Sequence, residues 1–87
     1  MGKKDQPKNL PTLDLHGATT DQVFDRIDQF LRREESKGTS CVRILHGKGS
    51  GKVQEKAREY CRIAQHQPKP DVDPQGRANP GAFLLYL

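Results

Sequence analysis

Two Leu-His-Gly triplets, Leu15-His16-Gly17 and Leu45-His46-Gly47, stand thirty residues apart in this 87-residue chain. Asp14 lies two residues before the first histidine, and the second histidine opens a glycine-rich segment, His46-Gly47-Lys48-Gly49-Ser50-Gly51. On a strand, residues two apart share a face with their Cβ atoms roughly 7 Å apart, so Asp14 and His16 are expected to reach one another or a common substrate. An aspartate beside an imidazole raises its basicity and fixes its tautomer, as a general base that activates water or a ribose 2′-hydroxyl requires. A glycine-rich turn between a strand and a helix offers backbone N–H groups and the positive end of the helix dipole, a favourable place for a phosphate. Lys48 adds a point charge to that turn, with Lys52 and Lys56 following on the loop side of the next helix.

Each feature has a plainer reading when taken alone. Asp14 and His16 fit solvent-facing strand polars, and the glycines fit a tight turn that holds nothing. The segment also lacks the spacing of a Walker A loop. Convergence favours chemistry, because a base, a second imidazole (His46) and a phosphate clamp would meet at one edge. Two histidines and an aspartate could instead ligate a metal, but no strand or helix places three ligands at a recognised spacing. No metal ligands are assigned, and a magnesium requirement stays open. His66, in a Gln-rich stretch, is read as incidental.

The elements that must bring these residues together are legible in the apolar pattern. Leu13 and Leu15 alternate with Asp14 and His16, the period of a half-buried strand. Thr19 or Thr20 can cap a helix on which Val23, Phe24, Ile27, Phe30 and Leu31 form one stripe, ending near Lys37-Gly38. Residues 41–45, Cys-Val-Arg-Ile-Leu, predict a second strand, and a second helix from about Ser50 carries Val53, Ala57, Tyr60, Cys61 and Ala64. Four of the six prolines fall between Gln65 and Pro80, marking a long loop with at most one poor edge strand near Val72. Residues 82–87 read as a central last strand. The expected fold is α/β, a two-layer sandwich of order β-α-β-α-(β)-β, with two helices on one face of a three- or four-stranded sheet. A parallel crossover between the first two strands would carry both His-Gly turns to the same sheet edge.

Bulk properties narrow the function. The chain has length for one thin-cored domain, and at 32% hydrophobic and 30% charged residues its folding depends on how the few apolar residues are placed. Residues 1–9 have no apolar side chain beyond Met1 and are expected to form a flexible basic arm before a domain over 10–87. No apolar run approaches a membrane span and the N-terminus lacks the apolar stretch of a secretory signal, so a cytoplasmic monomer is expected. Cys41 and Cys61, without metal-type spacing, are expected to be reduced, buried thiols. Of the net charge of +4, all lies in residues 40–66, where Arg43, Lys48, Lys52, Lys56, Arg58 and Arg62 face only Glu55 and Glu59. A local positive field of this kind suits a polyanion.

These same residues carry a family resemblance. Leu13-Asp14-Leu15-His16-Gly17 resembles the LDLHG signature of Smr (small MutS-related) domains, and the His46–Gly51 segment resembles their HGKGxG motif. The ending from Pro80 to Leu87 is similar to the GGxGA-plus-strand that closes them, although Asn79-Pro80-Gly81-Ala82 departs from that pattern. The resemblance implies a stand-alone Smr protein, folded like the C-terminal domain of bacterial translation initiation factor 3 and acting on nucleic acid by nicking DNA or cleaving RNA. By motif match, Asp14 and His16 would be catalytic, Gly17 would shape the turn, and His46, Gly47, Lys48, Gly49 and Gly51 would hold phosphate. The combined expectation is an endonuclease that uses Asp14, His16 and His46 for chemistry. Gly17, Gly47, Lys48, Gly49, Ser50, Gly51, Lys52 and Lys56 would bind the DNA or RNA backbone. The alternative is a non-catalytic, structure-selective nucleic-acid-binding module.

Overall fold

A computed structural model describes residues 10–49 and 51–87. The expected arm over 1–9 lies outside the described residues, as does Ser50. The elements run β1 (Thr12–Asp14), α1 (Thr20–Ser36), β2 (Cys41–Leu45), α2 (Lys52–Ile63), β3 (Lys69–Val72) and β4 (Ala78–Tyr86). They form a four-stranded sheet of order β1-β2-β4-β3, with β1 parallel to β2 and the remaining pairs antiparallel.

One face of the sheet takes both helices. Val42 and Ile44 of β2 pair in register with Leu85 and Phe83 of β4, and all four are buried with Val23, Ile27, Phe30 and Leu31 of α1 and Ala57 and Cys61 of α2. This is the two-layer sandwich, built from period-two alternation on the strands and one apolar stripe on each helix. Thr19 caps α1: its N–H donates to Gln22 Oε1 at 3.1 Å, while Gln22 N–H returns to the Thr19 carbonyl at 2.9 Å. The helices are tied to one another by Tyr60, whose hydroxyl donates to Asp28 at 3.0 Å and whose ring meets Phe24 edge-on at 5.5 Å. Burial, then the bond to Asp28, pushes the Tyr60 pKa up to about 12.

The opposite face of the sheet is more polar. Arg43, between the buried Val42 and Ile44, crosses over β4 to the β3 carboxylate of Asp71 at 3.0 Å, so the outermost strand is fastened to the middle of the sheet. β3 is longer than the sequence suggested, because an edge strand accepts Pro70 and a register shift between Pro70 and Val72. β4 likewise starts at Ala78, earlier than expected; its first residues pair only with β3, since β2 ends at the Leu45–Ala82 pair.

Two further expectations change in detail. Cys61 is buried and its thiol pushed up to about 11 by desolvation, but Cys41 is only half-buried, because it pairs with the exposed Tyr86 on the face away from the helices. β1 stops at Asp14, so His16 stands in the turn rather than on the strand. The local reason is that Asp14 Oδ1 accepts the His16 backbone N–H at 2.8 Å, an Asx-type turn that competes with the ladder. Leu15 still donates its N–H to the Leu45 carbonyl at 2.8 Å and fills the core.

Phe83 is 1% exposed at the centre of the sheet, in the core cluster and 5.8 Å from the His46 ring. Phe83→Ala is expected to cost about 3–5 kcal/mol, read as a lowered midpoint in urea unfolding with the slope unchanged.

Candidate functional site

β1 and β2 are parallel neighbours, so the chain leaves both at the same sheet edge. There His16 and Gly17 from the first turn, and His46, Gly47, Lys48, Gly49 and Gly51 from the second, line one open cleft of about 290 Å³. Leu15 and the first-turn residues Val53 and Gln54 of α2 complete its walls. The glycine-rich turn needs glycine at Gly47 (φ +83°) and Gly51 (φ +89°), where a side chain would strain the backbone. Gly51 is the N-cap of α2, so the loop runs directly into a helix N-terminus, the positive end of the helix dipole.

The two histidines are in opposite situations. His16 is exposed at the cleft mouth. His46 is 6% exposed, with its ring 5.8 Å from that of Phe83. It continues the inward alternation of Val42 and Ile44, which is why it points under α2 and not into solvent. His46 Nδ1 is 2.7 Å from the Gly47 carbonyl, so this nitrogen carries the proton and donates it. Nε2 then holds a lone pair, buried and without a partner among the described residues. Burial holds the His46 pKa below its ordinary value, the Arg58 charge adds to this, and the Gly47 carbonyl opposes it. His46 is therefore a neutral wall of the cleft at pH 7.

The loop backbone divides cleanly. The amides of His46 and Gly47 both donate to the Gly81 carbonyl, at 2.8 and 2.9 Å, which staples the start of the loop to β4. Among the described residues, the Lys48 and Gly49 amides meet no acceptor and the Lys48 ammonium no carboxylate. These donors and this charge are what an incoming phosphate oxygen would meet.

Not every candidate from the sequence converges here. Asp14 does not line the cleft; its carboxylate is spent on the His16 backbone N–H and shapes the turn that presents His16. Lys52 opens α2 outside the lining. Lys56 is turned to α1, 5.5 Å from the Phe24 ring and 3.4 Å from Glu59. The phosphate role expected of Ser50 falls outside the described residues, and His66 is at the far end of α2, donating its N–H to the Cys61 carbonyl. Gly81, by contrast, is a site residue that its place in the closing strand did not reveal. Among the described residues no group of three His, Cys, Asp or Glu side chains is arranged around a common point.

The profile of the Smr domain family matches residues 13–87. Endonuclease MutS2 of Thermus thermophilus is 34% identical over 80 residues, which are 92% of this chain and 11% of that relative. Endonuclease MutS2 of Carboxydothermus hydrogenoformans is 32% identical over 84 residues, 97% of this chain and 11% of the relative. The chain thus spans about a tenth of the length of the curated relatives it matches. Among solved structures, the Smr domain of Thermus thermophilus MutS2 superposes with a TM-score of 0.75 at 29% identity, covering 90% of this chain and 98% of that one. YdaL, a stand-alone small MutS-related protein from Escherichia coli, shares the fold at a TM-score of 0.62 and 20% identity, over 87% of this chain and 63% of its own.

A buried neutral His46 makes stability depend on pH with a definite sign. Its folded-state pKa lies below the ordinary 6.5, so unfolding takes up a proton as pH falls past that value. The urea midpoint should therefore drop between pH 7 and pH 5, and His46→Gln should flatten that dependence.

Proposed function

The chain belongs to the Smr domain family, and we propose on that footing that it is a nucleic-acid endonuclease working at the cleft between its two His-Gly turns. The observation that carries the reading is the convergence of an exposed imidazole, His16, with the donors of Lys48 and Gly49, which meet no acceptor among the described residues, in one cleft. In this reading the Lys48 ammonium and the two amides hold a backbone phosphate. His16 takes the proton from the attacking water or neighbouring ribose 2′-hydroxyl as its oxygen bonds the phosphorus, while the bond from phosphorus to the leaving ribose oxygen breaks and that oxygen takes a proton from solvent. Asp14 acts through geometry: by bonding the His16 N–H it sets the turn on which the imidazole stands. His46 supplies a rigid, neutral back wall. The positive field of residues 40–66 draws the polyanion in, and the MutS2 relatives that share this domain are named endonucleases.

A second reading is favoured by one specific contact. Asp14 Oδ1 accepts the His16 backbone N–H and, among the described residues, Asp14 makes no bond to the His16 ring, so no Asp–His dyad is assembled in advance, and the same cleft would serve a module that clamps nucleic acid without cutting it.

The test is cleavage of supercoiled plasmid and of a structured RNA, with and without magnesium, by the chain and four variants. His16→Ala should abolish cleavage and keep binding. Asp14→Asn, which retains the oxygen that accepts the His16 N–H, should keep most activity, whereas Asp14→Ala should lose at least tenfold. Lys48→Ala should weaken binding and lower the slope of log K against log salt by about one. Cleavage undiminished in His16→Ala would remove His16 from the mechanism; binding without cleavage in the unaltered chain would leave the clamp.

A further inference from the structure

Asn79 lies outside the cleft, yet its carboxamide stands in the middle of a chain of polar contacts that ends there. Its Nδ2 donates to Asp71 Oδ2 at 3.2 Å, and its Oδ1 accepts the Gly81 N–H at 3.0 Å. The Gly81 carbonyl in turn accepts the amides of His46 and Gly47. On the other side, Asp71 is 8% exposed and is gripped by Arg43, with Nε 3.0 Å from Oδ2 and a second guanidinium nitrogen 3.4 Å from Oδ1.

The order of these contacts has a chemical logic. A carboxylate accepts only, so the carboxamide must turn its NH2 end to Asp71, and its oxygen is thereby aimed at the Gly81 N–H. The Arg43–Asp71 pair fixes the carboxylate, and so fixes which way Asn79 faces. Pro80 has no N–H to offer, which makes the Gly81 N–H the first backbone donor after Asn79. The departure of Asn79-Pro80 from the GGxGA pattern therefore places a side-chain bridge where a glycine would have none.

We propose that Asn79 is a positioning residue for the loop from His46 to Gly49: its carboxamide, oriented by Asp71, holds Gly81 so that one carbonyl staples the His46 and Gly47 amides and leaves those of Lys48 and Gly49 facing the cleft. The outermost strand β3 thus acts on the site through Asp71 while contributing no residue to its lining. The functional part of this claim rests on the loop being a phosphate site; the structural part does not.

The decisive experiment is residue-resolved amide hydrogen exchange on the full chain, paired with binding of a fluorescein-labelled 20-base-pair DNA duplex and an RNA hairpin. In Asn79→Ala, exchange at His46 and Gly47 should accelerate by roughly fivefold or more, as expected for the loss of one hydrogen bond from a local opening. The Val42 and Leu85 amides should not change, and affinity for the probe should fall severalfold. Asn79→Asp sets two carboxylates against each other and should behave the same way. Exchange at His46 and Gly47 within twofold of the unaltered chain in Asn79→Ala would overturn the proposal. So would equal acceleration at Val42 and Leu85, which marks general destabilisation. If the unaltered chain binds neither probe, the endonuclease and clamp readings fail, while the exchange rates still decide whether Asn79 positions the loop.

Discussion

The parallel pairing of β1 with β2 is the contact on which everything else here depends. β1 is three residues long, and its register, Leu13 opposite Ile44 and Asp14 opposite Leu45, is extended by one more bond from Leu15 to Leu45. So short a strand has little hold by itself. It is kept in place because Leu13 and Leu15 pack into the same apolar layer as α1, the helix that makes the crossover between the two strands. A slip of one residue would turn Leu13 and Leu15 out of that layer and separate the His-Gly turns. Burial of α1 and assembly of the site are in this sense one event.

The site is rigid at its back and unsatisfied at its front. Behind, His46 is wedged beside Phe83 and bonded to the next carbonyl, and Gly81 holds the first two amides of the loop. In front, His16, the Lys48 ammonium and the Lys48 and Gly49 amides are left to solvent or ligand. This division suits recognition of a charged backbone, because donors held in place before binding lose little entropy on meeting a phosphate. The sheet face away from the helices is spent differently, on a bidentate ion pair that closes the outer strand onto the sheet.

Much of this was legible in the residues. The period-two alternation at Leu13 and Leu15, the two helical stripes and the apolar runs at 41–45 and 82–87 point directly to five of the six elements, and the glycine-rich turn to the shared edge, because each is a local signal within one segment. What was not legible arises from contacts that no periodicity encodes. The spacing of Asp14 and His16 predicts that they reach one another or a common substrate, but a bond to the backbone two residues on is available to any aspartate at a strand end. Lys56 was placed beside the loop, whereas Phe24 on another element draws it away. Arg43 and Asp71 are 28 residues apart and meet only once the sheet has formed. The burial of His46 was available, since Val42, Ile44 and His46 share one parity; the resemblance of the two histidines obscured their different faces.

On the proposed function, nucleic acid meets this chain at the edge where β1 and β2 end. Titrating the isotopically labelled chain with a structured RNA hairpin or a DNA duplex, and following each backbone amide by NMR, tests it most directly. The largest shifts should fall on His16, Gly17, Lys48 and Gly49, with the Thr12, Arg43 and Tyr86 amides of the opposite sheet face nearly still. Shifts concentrated on Thr12, Arg43 and Tyr86, with the cleft residues unmoved, would contradict it.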